Sequence, residues 1–107
     1  MGYKTKDGYP TKVALMRIEN WDWLEEHNLI EFLDFIQLLW NWRDRFVLRG
    51  KKVLRLYLST GGWSGNESII EALQKNFFWT FFWQKSIRGG HHWFRIDFRK
   101  LYKKEGE

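Results

Sequence analysis

Cysteine is absent from this 107-residue chain and proline occurs once, at Pro10. The missing thiols exclude disulfides, thiolate nucleophiles, Cys-ligated zinc and iron–sulfur clusters, and they point to a reducing compartment. No apolar run approaches the ~20 residues of a membrane span. The opening residues, Met1 to Gly8, are polar and lack the apolar stretch and small-residue cleavage site of a secretory signal. The expectation is a cytoplasmic protein with no membrane partner. Histidine is also scarce, with three in the chain, which is a thin supply for catalysis or metal binding.

Aromatic residues, by contrast, make up 20% of the chain and include eight Trp and nine Phe. So much apolar surface argues against disorder, and a chain of this size predicts one domain over 1–107, with a loosely held lead-in over 1–11 and a frayed tail over 100–107. A small core cannot hold every large ring, so some are expected at the surface or in an interface. The net charge of +5 is unevenly spread. Ile18 to Trp42 carries six acids and no Lys or Arg, whereas Arg43 to Arg55 has six basic residues against one acid and Lys85 to Lys104 has seven against one. A basic half of this kind suits nucleic acid or an acidic protein.

Periodicity predicts an α+β fold in the order α-α-β-α-β-β, a three-stranded antiparallel or mixed sheet with helices packed on one side. Lys12 to Glu19 is ambiguous between a short strand and a helical turn. Asn20 reads as the cap of a short acidic helix, Trp21 to His27, and Asn28 as the cap of a longer one through Trp42. That longer helix shows one narrow polar stripe, Glu31, Asp34, Gln37 and Asn41, so it needs cover on more than one side. A second copy packed on Asn28 to Trp42 is one candidate for that cover.

Leu54, Leu56 and Leu58 alternate with Val53, Arg55, Tyr57 and Ser59, the pattern of a half-buried strand. A glycine-rich loop follows and opens onto a helix whose Ser64 and Glu67 spell a capping box. Phe77 to Gln84 and His91 to Phe98 read as a hairpin through Arg88-Gly89-Gly90. With an even-numbered loop, Phe77, Trp79, Phe81 and Trp83 share the core face with His92, Phe94, Ile96 and Phe98.

Two surfaces emerge as candidates. In the loop Gly61, Gly62, Trp63, Ser64, Gly65 and Asn66, backbone N–H groups ahead of a helix can hold an anion or a nucleotide. The alternative is a plain turn and cap. The loop is neither a Walker A loop nor G-x-G-x-x-G, so no cofactor is expected. It is one residue short of the G-x-S-x-G elbow, which with so few histidines leaves no catalytic constellation for hydrolysis. His91 and His92, adjacent on a strand, point to opposite faces and cannot grip one metal ion together. The second surface is a basic-aromatic sheet face of Arg55, Tyr57, Trp93, Arg95 and Arg99, able to stack bases and pair phosphates of a single strand.

The segments Gly61-Gly-Trp-Ser-Gly-Asn-Glu, Phe78-Trp79, Phe82-Trp83 and Ser86-Ile-Arg-Gly-Gly-His together resemble a pattern found in small uncharacterised proteins of bacteriophages and prophages. The resemblance covers the C-terminal half. It implies an accessory protein acting in the host cytosol against a host defence or regulatory protein, and it brings no catalytic residues with it. The leading expectation is therefore a non-enzymatic protein that captures a protein partner through the Trp63 loop and the hairpin tip near Arg88 and His91. Single-stranded nucleic acid on the sheet face and a small anion at the Gly61 to Asn66 loop are the alternatives.

Overall fold

The computed structural model describes residues 2–102. The fold is α+β, but its sheet has four strands rather than the three expected: β1 (Phe46–Arg49), β2 (Val53–Ser59), β3 (Trp83–Ile87) and β4 (His91–Asp97). They lie in the order β1-β2-β4-β3 with every neighbour antiparallel. The helices are α1 (Lys12–Asn20), α2 (Glu26–Leu39), α3 (Ser64–Gln74), α4 (Phe77–Phe82) and α5 (Phe98–Leu101). None is long and apolar enough to cross a membrane among the described residues.

The ambiguous N-terminal stretch is helix α1. Thr11 accepts a hydrogen bond from the Ala14 N–H at 3.2 Å, and Ala14 and Ile18, one turn apart, are its buried pair. The lead-in is tied down: Lys4 bridges to Pro10, and the Tyr3 ring packs edge-on against Phe35. Asn20 does not cap an acidic helix. It ends α1, and residues 21–25 run extended because Trp21 and Trp23 both turn inward at a spacing of two.

α2 consequently starts at Glu26 instead of Asn28 and stops at Leu39, short of Trp42, because Trp40 turns its indole to the Ser59 carbonyl at 3.2 Å. Leu29, Phe32, Leu33, Phe35, Ile36 and Leu39 are buried, and Tyr3, Trp21 and Phe78 from the same chain pack on Phe32 and Phe35. Much of the cover expected from a second copy is thus supplied internally.

The largest departure is at 77–82. A run of Phe and Trp carries no period, and the strand expected from Phe77 is helix α4, capped by the Asn76 side chain, which accepts the Phe78 N–H at 2.8 Å. Helical spacing buries Phe78 and Phe82 and leaves Phe77 and Phe81 outside, the reverse of the expected core face. Asn76 therefore starts a helix as well as following one. Phe98, expected in the strand, opens α5. Of the tail over 100–107, Lys100 and Leu101 belong to α5, and 103–107 lie outside the described residues.

β1 was hidden among charges. It turns into β2 through Gly50 at φ +103°, where a Cβ would run into the Val53 carbonyl. Leu54, Leu56 and Leu58 join Phe94 and Ile96 on the buried side of the sheet as the alternation requires.

Candidate nucleic-acid interface

The opposite side of the sheet is exposed or half-buried over nearly its whole extent, and cross-strand pairing sorts its side chains into rows. Arg49 pairs with Arg55, and Arg55 with Arg95, so three arginines stand in one row across β1, β2 and β4. One step along, Val47 pairs with Tyr57, Tyr57 with Trp93 and Trp93 with Lys85. The next row brings Ser59 to His91 and His91 to Ile87. Adjacent rows on one face lie about 7 Å apart along the strands.

The middle of the face is an aromatic platform. The Tyr57 and Trp93 rings are 5.0 Å apart, and the Tyr57 and His91 rings are near parallel, 8° apart in tilt, at 6.0 Å. The Tyr57 hydroxyl and His91 Nδ1 share a 2.7 Å hydrogen bond, with the tyrosine donating when that nitrogen is unprotonated. This bond holds the ring pair in register. The Lys85 ammonium lies over the Trp93 ring, 4.7 Å from its centre.

Lys85 reaches this side because of a bulge. Trp83 pairs with Phe94 and Lys85 with Trp93, so Gln84 is the extra residue and strict alternation fails there. Lys85 and Ile87, rather than Gln84 and Ser86, therefore share this side with Trp93 and His91. Ser86 faces His92 instead: its hydroxyl oxygen accepts the Trp83 indole N–H at 2.8 Å and lies 2.7 Å from His92 Nδ1. Burial, and secondarily the positive charge of His91, hold the His92 imidazole below its ordinary value.

Of the five sheet-face residues expected from sequence, Arg55, Tyr57, Trp93 and Arg95 come together. Arg99 does not join the row, because it sits at the start of α5 and grips Asp97 with Nε at 3.0 Å and Nη2 at 2.9 Å. Those hydrogen bonds, with the Arg99 and Arg95 charges, push the Asp97 carboxyl down to about 2. Arg95 Nη2 is 3.6 Å from the same carboxylate, so Asp97 is the counter-charge at one end of the arginine row. Arg49 and Lys85 were missed from sequence. Alternation through the short β1 signals the first, and only the bulge reveals the second.

The glycine-rich loop has a different character. Gly61 and Gly62 take positive φ, the Trp63 N–H donates to the Thr60 carbonyl at 3.1 Å, and the Gly62 N–H donates to Thr60 Oγ1 at 3.3 Å. Ser64 is the first residue of α3 and Trp63 its cap, so the Ser64–Glu67 capping box is not formed. Asn66 is fully buried: its Oδ1 accepts the Asn41 N–H, and its Nδ2 donates to the carbonyls of Asn41 and Thr60. The Trp63 ring lies on Gly65 between Tyr9 and Trp42. The loop meets the β3–β4 turn where the Thr60 N–H donates to the Gly90 carbonyl at 3.0 Å, with Arg88 exposed at the tip.

Among the described residues, no group of three or more His, Asp or Glu side chains is placed to hold a metal ion. Comparison of the chain with family models, with curated proteins and with solved structures finds no match, so the functional reading rests on the geometry of this face.

Proposed function

We propose that this protein binds single-stranded nucleic acid on the open sheet face, with bases stacked on Tyr57 and Trp93 and phosphates held by Arg49, Arg55, Arg95 and Lys85. The arginine row carries this reading. Like charges directly opposite one another across strands destabilise a sheet, so three arginines in cross-strand register are a cost to the free protein that a bound polyanion offsets. Stacking on exposed rings needs unstacked bases, which a single strand offers and a duplex hides. Lys85 fits the same picture: a base on Trp93 displaces the ammonium from the ring toward the neighbouring phosphate.

The test is fluorescence anisotropy with a labelled single-stranded oligonucleotide over a salt series. With three to four phosphates neutralised, log K is expected to fall against log salt with a slope of about −2 to −3. Heparin of similar length serves as an anion without bases. Equal binding of heparin and oligonucleotide, untouched by loss of the Tyr57 and Trp93 rings, overturns the reading.

The second reading is capture of a protein at the end of the molecule where the loop of Gly61 and Gly62 is joined to the turn that carries Arg88. The Thr60–Gly90 hydrogen bond that joins these two segments favours it. It predicts that Arg88→Ala abolishes capture while oligonucleotide binding is unchanged.

A further inference from the structure

Leu24, Phe77 and Phe81 are 75%, 74% and 64% exposed, the highest values for large apolar side chains among the described residues. All three line one cleft of about 610 Å³ between the end of α1, the extended segment after it and the α3–α4 junction. Scattered apolar exposure is ordinary, but the three extremes converging on one concavity are not. The walls are also tied together by hydrogen bonds. Trp23 Nε1 donates to Asn76 Oδ1 at 2.7 Å, Asn76 Nδ2 donates to the Ile18 carbonyl at 2.8 Å and the Trp21 carbonyl at 3.1 Å, and the Trp23 ring meets Phe81 edge-on at 5.6 Å.

The charge at the mouth runs against that of the whole molecule. Glu19 and Asp22 line the cleft, Glu25 and Glu26 follow Leu24 along the chain, and Lys75, the lining cation, is 3.9 Å from Glu19. The same acids act on a neighbouring group. The Tyr102 hydroxyl, which donates to the Trp23 carbonyl at 2.7 Å, is pushed up to about 12 by burial and by the charges of Glu26 and Asp22.

The acids repel a nucleic-acid strand. They also count against a second copy seated here, because a two-fold contact sets each patch on itself and brings acid against acid. A stable dimer further needs ~800 Å² from each partner, whereas a cleft in the ~300–1,000 Å³ range takes a few side chains.

From this geometry we infer that the cleft docks a short amphipathic segment of another protein, with two or three apolar anchors on one helix face and lysine or arginine flanking them. The apolar walls receive the anchors, and Asp22 and Glu19 meet the cations.

The probe is a fluorescein-labelled helical peptide with leucines at i, i+4 and i+7 and lysines between them, set against the same peptide with glutamates in place of the lysines. Anisotropy with the full chain is expected to show binding of the lysine peptide alone. The double variant Leu24→Ser, Phe77→Ser is expected to weaken it at least ~10-fold, since both side chains are central anchors. Asp22→Asn, which keeps an oxygen for the Leu24 N–H, should weaken it ~3-fold and flatten its salt dependence. Both serine substitutions fall on exposed positions, so the melting temperature should hold, and the oligonucleotide assay reports separately that the open face is intact. Equal binding of both peptides, no binding of either, or indifference to the serine variant overturns the inference. So does a concentration-dependent dimer in sedimentation that the serine variant abolishes, since the occupant is then a second copy.

Discussion

Trp23 donates its indole N–H to the side-chain oxygen of Asn76 at 2.7 Å, joining residues 53 positions apart at a buried site. The same Asn76 oxygen caps α4 through the Phe78 N–H, and its amide nitrogen donates to the carbonyls of Ile18 and Trp21. One side chain therefore ties the end of α1, the extended segment and the start of α4 together. Asn76→Ala removes a cap worth ~1 kcal/mol and leaves several buried groups without partners, so a loss of ~3 kcal/mol or more is expected. Thermal denaturation should show a drop of at least ~10 °C. Trp23→Phe orphans fewer groups, and its smaller drop is the internal comparison.

The aromatic platform makes a second prediction. Tyr57→Ala and Trp93→Ala each remove a stacking surface, so each should weaken oligonucleotide binding by ~5- to 150-fold, at ~1–3 kcal/mol per base. Tyr57→Ala also frees His91 from its hydrogen bond and ring partner. Tyr57→Phe, which keeps the ring, should retain most of the affinity. Titration with labelled oligonucleotide separates the three variants.

The arginine row couples function to stability with opposite signs. Arg55 stands between Arg49 and Arg95, so Arg55→Thr relieves two like-charge pairs and installs a residue suited to a strand. The variant is expected to melt slightly higher, by a few tenths of a kcal/mol, while its salt slope becomes shallower by ~0.7. A variant that loses stability and affinity together would show that Arg55 serves packing instead.

Legibility in the sequence followed the strength of period. Leu54, Leu56 and Leu58 alternate without interruption, and β2 stands where they put it. The stripe of Glu31, Asp34 and Gln37 marks α2 in the same way, although its ends are set by Trp23 and Trp40, whose indoles reach Asn76 and Ser59 far along the chain. Phe77 to Phe82 shows the limit. When every residue is aromatic or nearly so, spacings of two and of four are equally satisfied, and Asn76 as a cap decides for the helix. The candidate face was legible where alternation was clean, at Arg55, Tyr57, Trp93 and Arg95. Lys85 was lost to a single extra residue at Gln84 that reverses the faces. Trp63, expected in a loop that captures a partner, lays its ring on Gly65 between Tyr9 and Trp42, contacts that no local pattern announces.

His92 predicts a pH dependence. Its folded-state value lies below the ordinary one because of burial and then the charge of His91, so the unfolded chain takes up a proton that the folded chain resists. Stability should be constant above the ordinary histidine range and fall as pH drops through ~6.5 and below. His92→Gln should flatten the profile over that window. Melting temperatures at neutral and mildly acidic pH, compared between the two proteins, read this directly.

Asp97 links the stability of α5 to the charge of the open face. Its carboxylate caps α5 by accepting the Arg99 N–H at 3.0 Å, and it holds the Arg99 and Arg95 guanidinium groups as well. With a value of about 2 against an ordinary carboxylate, the folded state resists protonation, so this stabilisation is complete above ~4 and is lost as pH falls toward 2. Asp97→Asn keeps an oxygen for the cap but releases both arginines from a negative partner. It is expected to lower the melting temperature at neutral pH, with the deficit vanishing as pH approaches 2. Oligonucleotide affinity should move the other way, rising a few-fold with a salt slope steeper by up to ~0.7, because Arg95 then turns wholly to phosphate. The opposed shifts identify Asp97 as the residue that tempers the arginine row, and a fall in both quantities would show that its carboxylate serves the fold alone.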